Sequence, residues 1–150
     1  MKNLTIIGLT PFEKPDLDLM LKIDQAEAYP VLSLSEDLIL AQTVLDTLNR
    51  VNISSCGIYF PNDKFTSLQI PKSVEFAIIP YSAAIDHSCN LPIIYQVTTL
   101  EDAKKAEKLG ALGIIVKGNE AAGLVGYEST FILFQRVIRE IESIPVFAQG

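Results

Sequence analysis

The chain has 150 residues, 49% of them hydrophobic, and twelve lysines and arginines against eighteen aspartates and glutamates give a net charge of -6. That length and apolar content suit one globular domain with a sizeable core, while the acidic balance, without a basic run, argues against a nucleic-acid partner. No apolar stretch approaches the roughly 20 residues that span a bilayer, and the opening MKNLTIIGLTPFEKPD lacks the basic and apolar regions of a secretion signal, so the chain reads as cytoplasmic with no membrane partner.

Short apolar runs alternate with helical periods from the start. LTIIGL (Leu4 to Leu9) reads as a strand, and Asp16 to Ala28, with Leu17, Leu21 and Ile23, as a helix. PVLSL (Pro30 to Leu34) is the second strand. Glu36 to Arg50 is a helix with Leu38, Ala41, Leu45 and Leu48 on one stripe behind Ser35 as N-cap. CGIYF (Cys56 to Phe60) and VEFAIIPY (Val74 to Tyr81) follow, but the connections PNDKFTSLQIPKS and SAAIDHSCN carry no amphipathic stripe, so the third and fourth helices are read as reduced to loops. PIIYQV (Pro92 to Val97) leads to a helix over Leu100 to Leu109: Thr99 and Asp102 have nearly capping-box spacing, Ala103 and Ala106 face inward, and Gly110 suits a left-handed C-terminal position. LGIIV (Leu112 to Val116) runs into KGNEAAGLVGYEST (Lys117 to Thr130), and a helix over Ser129 to Ile141 is expected to bury Phe131, Phe134, Ile138 and Ile141. IPVFA (Ile144 to Ala148) is the seventh strand.

Near-continuous apolarity in these strands points to a parallel sheet covered by helices. Three strands end on polar residues, Gln96, Lys117 and Gln149, a succession that suits the ring-shaped mouth of a (β/α)8 TIM barrel better than an open doubly wound sheet. A full barrel needs about 250 residues, so residues 1–150 are read as the N-terminal part of a single barrel truncated to about seven strands. Its open edge is expected to aggregate or dimerise unless a partner covers it.

The glycine loop after the sixth strand is neither a P-loop nor a G-x-G-x-x-G fingerprint. Gly118, Gly123 and Gly126 serve tight turns as readily as a ligand. Cys56 and Cys89 have no metal-ligand spacing, and no metal site is expected; Cys56 reads as a small core residue. His87, the single histidine, reads as a solvated loop residue, Glu120 as loop anchor or site residue equally, Tyr59, Tyr81 and Tyr95 as rim packing, and EDAKKAEK as a solvated helix face.

The stretch IVKGNEAAGLVGYESTFILFQRVI followed by IPVFAQG resembles the barrel of the nitronate monooxygenase (2-nitropropane dioxygenase) and FMN-dependent enoyl reductase family, whose sixth strand runs into Gly-x-Glu-Ala-Gly-Gly-His-x-Gly. With IIGLTPFEKPD and PIIYQVTTLEDAKKAEKLGALGIIVKG, the chain is most similar to the form found as a domain of polyketide and polyunsaturated fatty acid synthases. The resemblance implies FMN across the barrel mouth. It places Gly118, Asn119, Glu120, Ala121, Ala122 and Gly123 beside the flavin ring, Gln96 and Lys117 on the rim facing it, and Gln149 and Gly150 at the start of a phosphate-binding loop. With only the first glycine of that loop in the chain, these 150 residues alone are expected to bind FMN poorly.

One position departs from the family pattern. Leu124 stands where the family keeps its catalytic histidine, and the first glycine of the family's pair is Ala122. Leucine transfers no proton, which removes acid-base chemistry on nitronates at this position, whereas hydride transfer is the cofactor's own chemistry. The resemblance therefore implies an FMN-dependent oxidoreductase, enoyl reduction preferred over nitronate oxidation, acting on a small-molecule or carrier-protein-bound acyl substrate in the full-length chain, with other synthase domains or a second copy as partners. The alternatives are a catalytically inactive structural or docking barrel domain of such a synthase and, behind it, a phosphate-binding barrel enzyme without flavin.

Overall fold

The computed structural model describes residues 6–11, 15–51, 53–83, 90–121, 123 and 125–149. The start of the first expected strand, His87, Cys89, Ala122, Leu124 and Gly150 lie outside the described residues. The chain forms two compact units, Met1–Ala77 and Ile78–Gly150, and one strand crosses the boundary.

The first unit is built on β1 (Ile7–Leu9), β2 (Tyr29–Ser33) and β3 (Cys56–Tyr59), with β4 (Val74–Pro80) entering it from Val74 to Ala77. These strands are rich in Ile, Val and aromatic residues, which fit a pleated surface buried on both faces. β1 pairs with β2 and β2 with β3, both parallel, with Ile7 opposite Tyr29 and Val31 opposite Gly57. The Cys56 amide donates to the Ser73 carbonyl at 2.8 Å, so the chain entering β4 lies beside the start of β3. Helix α1 (Leu17–Gln25) starts at Asp16, whose carboxylate accepts from the Leu19 amide, and it approaches β1 so closely that a side chain on Gly8 would overlap Ile23. Helix α2 (Leu38–Leu48) buries Ala41, Leu45 and Leu48, as the stripe predicts. Its N-cap is Asp37 rather than Ser35: Asp37 accepts from the Ile39 and Leu40 amides, and the Ser35 hydroxyl instead accepts from the Asp37 amide. The connection to β4 holds only a single 3-10 turn (Asp63–Ser67), in agreement with a reduced third helix.

In the second unit, β5 (Ile93–Val97), β6 (Gly113–Lys117) and β7 (Val146–Gln149) are again parallel and adjacent in chain order. A 3-10 turn (Tyr81–Ala83) follows β4, and the expected reduction of the fourth helix falls on residues 84–89, which lie outside the described residues. Helix α3 (Leu100–Lys108) begins at Thr99, whose hydroxyl accepts from the Asp102 amide at 3.1 Å and donates to its carboxylate at 2.8 Å. Ala103 and Ala106 are fully buried, and side chains that small let the helix backbone lie close against β5 and β6. Gly110 ends it at φ +78°. Helix α4 (Thr130–Glu140) starts at Ser129 as expected but buries Thr130, Leu133, Val137 and the following Ile141. Phe131 is 65% and Ile138 45% exposed, so the expected stripe is corrected by part of a turn. Periodicity was ambiguous there because apolar side chains occupy both faces, and the hydrogen bonds of Thr130 decide the rotation.

Within each unit every strand lies beside its predecessor in the chain, without the reversal of order that defines a doubly wound sheet. The fold is that of a (β/α)8 TIM barrel, with seven strands among the described residues.

Candidate functional site

The polar residues at the strand ends of the second unit meet on one face. Side chains alternate across a strand, and paired residues of parallel strands share a face. Gln96 lies opposite Ile115, Ile115 opposite Phe147, and Lys117 opposite Gln149. Gln96, Lys117 and Gln149 therefore share one face at the carboxyl ends of β5, β6 and β7, above a floor of Ile115 and Phe147. Their neighbours Tyr95, Val97, Ile114 and Val116 occupy the other face, where Tyr95 packs edge-on against Tyr81 at 5.7 Å between ring centres.

Both glutamine side chains are fixed by each other. Gln96 is buried, and its Nε2 donates to Gln149 Oε1 at 2.9 Å. An amide has one acceptor oxygen and an NH2 with two donors, so this bond leaves the carbonyl oxygen of Gln96 and the NH2 of Gln149 as groups that a ligand beside them could engage. Lys117 is 2% exposed, and burial pushes its ammonium below the usual lysine range, since desolvation disfavours the charged form. An acceptor, a donor and a cation thus adjoin on a surface otherwise apolar.

Gly123 of the glycine loop lies beside this lysine. Gly123 has φ +80°, and a side chain there would lie 3.5 Å from Lys117 Nζ, so the loop passes above the ammonium with bare backbone. Gly126 sits where a side chain would meet the Thr98 carbonyl at 2.7 Å and the Lys117 carbonyl at 3.4 Å. Most other polar groups of the loop are used inside the protein. The Asn119 amide donates to the Glu128 carbonyl and the Ala121 amide to the Gly118 carbonyl. Glu120 Oε1 accepts from the Thr130 amide at 2.8 Å, and backbone N–H groups of Glu120 itself and of Thr130 hold its carboxyl below the usual range. Glu120 Oε1 is thus tied to the first turn of α4.

Among the described residues, then, the expected site residues fall into two sets. Gln96, Lys117 and Gln149 present side chains to one shared face, while Gly118, Asn119, Glu120 and Ala121 shape the loop. The sequence reading missed Thr130, which the structure puts at the centre of that loop. Its signal was a buried-position hydroxyl at the first turn of a helix directly after a glycine-rich loop. Among the described residues no group of acidic, cysteine and histidine side chains could hold a metal ion, and no helix is long and apolar enough to cross a membrane.

No protein-family model matches the chain. Glycolate oxidase 3 of Arabidopsis thaliana is 31% identical over 108 residues, covering 71% of this chain and 27% of that protein. The solved structure of FabK from Thermotoga maritima superposes with a TM-score of 0.80 at 20% identity, over 98% of this chain and 52% of that one. The chain therefore spans about a quarter of the first and about half of the second, and the second similarity carries the fold.

Proposed function

We propose that these residues form the N-terminal part of an FMN-dependent oxidoreductase barrel, and that its reaction is enoyl reduction on an acyl group, free or held by a carrier protein, rather than nitronate oxidation. The observation that carries this reading is the set Gln96, Lys117 and Gln149, the first two buried and the third half-buried, at the carboxyl ends of three consecutive parallel strands, the end at which barrels bind their ligands. Similarity to a protein named as a glycolate oxidase agrees with redox chemistry.

The donor set fits FMN. The edge of an isoalloxazine ring alternates carbonyl oxygens with an N–H, and the face offers a carbonyl at Gln96, an N–H at Gln149 and a cation at Lys117. Ile115 and Phe147 would lie against an aromatic ring, and Gly123 keeps side-chain bulk away from Lys117. When bound, FMN would supply hydride transfer, which asks no proton transfer of Leu124. The chain's own residues would orient the ring through Gln96 and Gln149, keep water off the floor, and hold positive charge at Lys117 Nζ.

The test is a titration with FMN of the full-length protein that carries this segment and completes the barrel, followed by the flavin visible band and emission. Gln149→Ala and Lys117→Met are each expected to weaken binding about tenfold, equivalent to about 1.4 kcal/mol. Absence of any spectral change with the wild type, or variants that bind as it does, refutes the reading. Leu124 at the family's histidine position favours the second reading, an inactive structural or docking barrel of a synthase. That version binds FMN but gives no oxidation of the reduced flavin by an enoyl thioester.

A further inference from the structure

Thr130 makes more contacts to the site than any residue expected to form it. Its side chain is buried, and its hydroxyl accepts from the Gly118 amide at 2.8 Å while donating to the Gln149 carbonyl at 3.1 Å. Its own amide donates to Glu120 Oε1 at 2.8 Å. The described pairs between β6 and β7 run as far as Lys117 and Gln149, and there the hydroxyl bridges the Gly118 amide and the Gln149 carbonyl. A similar device closes β1 and β2 in the first unit, where the Ser33 amide donates to Thr10 Oγ1 at 2.9 Å and the Ser33 hydroxyl to the Thr10 carbonyl at 2.6 Å.

The consequences reach all three side chains of the candidate site. The backbone of Gln149 is held by Thr130, and its side chain in turn sets the amide of Gln96. Gly118, next to Lys117, is held by the same hydroxyl, and packs so tightly under the first turn of α4 that a side chain on it would overlap the Thr130 amide. Glu120, three residues before Gly123, is tied to that turn as well. Gly123, where a side chain would lie 3.5 Å from Lys117 Nζ, follows in the same loop.

We propose that Thr130 is a positioning residue of this site: its hydroxyl and amide clamp Gly118 and Glu120 to the end of β7, holding Gln149 in register and Lys117, the neighbour of Gly118, in its buried place. Its part in ligand binding rests on the flavin reading; the clamp is tested without flavin. Thr130→Val keeps the shape and removes the hydroxyl, leaving the Gly118 amide and the Gln149 carbonyl without that partner, and Thr130→Ser restores both bonds.

The experiment is competitive acylation of the folded protein with acetic anhydride across alkaline pH, with Lys117 read by mass spectrometry. In the wild type and in Thr130→Ser the midpoint for Lys117 lies below the ordinary 10.5, and in Thr130→Val it moves up toward 10.5 as water reaches the ammonium. A merely structural threonine would lower the unfolding midpoint of the valine variant and leave the Lys117 profile of its folded state unchanged, which overturns the proposal. Should the valine variant not fold, amide exchange decides in the wild type: protection of the Gly118 amide is expected, and exchange at the rate of an unstructured amide overturns the clamp. Failure of the wild type to bind FMN removes the flavin reading alone, whereas FMN binding unchanged in Thr130→Val with an unchanged lysine profile removes the positioning role alone.

Discussion

Gly118→Ala puts the packing of the candidate site to a direct test. A methyl group at this position would overlap the Thr130 amide nitrogen and stand 2.5 Å from the Ser129 carbonyl carbon and 2.6 Å from Glu120 Oε2. Only the carboxylate can swing aside; the other two atoms are backbone at the start of α4. Relieving the overlap means displacing that turn, at about 1 to 3 kcal/mol for overpacking. The same displacement loosens the bonds from the Gly118 amide to Thr130 Oγ1 and from the Thr130 amide to Glu120, each worth about 1 kcal/mol net. The expected loss is about 3 to 5 kcal/mol, a large fraction of the roughly 5 to 15 kcal/mol that holds a domain folded. Gly110→Ala is the control: φ is +78° but nothing lies within 4 Å of the new methyl, so only the left-handed backbone is penalised, at about 1 to 2 kcal/mol. Urea unfolding followed by far-ultraviolet circular dichroism measures both. A Gly118→Ala protein within about 1 kcal/mol of wild type, or one more stable than Gly110→Ala, refutes the reasoning.

Two further outcomes follow from single contacts. Thr99→Ala removes the hydroxyl that caps α3 and is expected to cost about 1 kcal/mol in the same urea assay, with Thr99→Ser close to wild type; equal midpoints for all three proteins would show that α3 starts without its cap. Burial pushes the Cys56 thiol from 9.0 up to about 12, although a hydrogen bond with the Ser73 side chain acts the other way. Because the folded value is the higher one, the stability this thiol contributes is complete below pH 9.0 and declines as pH rises toward about 12, by about 1.4 kcal/mol per unit at most. Tyr29, raised mainly by burial and then by its bond to Glu75, acts in the same sense, and Lys117, whose folded value is lowered, acts in the opposite one. Both titrate equally in Cys56→Ala, so between about pH 8 and about pH 10.5 the wild type should lose about 2 kcal/mol more than this variant. Parallel pH dependences would mean that the thiol ionises in the folded protein.

Much of the architecture is local and was legible in the residues themselves. Strand runs of β-branched residues between turn-formers mark β2, β3, β4, β5, β6 and β7, the hydroxyl of Thr99 marks a helix start, and Gly110 marks a helix end, because each of these preferences acts within a few residues. The succession Gln96, Lys117, Gln149 could be read as a rim once the strands were taken as parallel and consecutive. What the sequence could not supply was rotation and pairing. The face that α4 buries depends on Thr130 reaching Gly118 and Gln149, residues 12 and 19 positions away, and apolar side chains on both sides of that helix leave periodicity undecided. That Glu120 reaches the Thr130 amide at the start of α4 was equally beyond the reach of spacing. Composition and spacing determined the alternation of strands and helices and the polar ends of three strands; only the tertiary structure decided that those ends share one face and that a threonine bridges Gly118 and Gln149 beside it, since hydrogen bonds between distant segments leave no period in the chain.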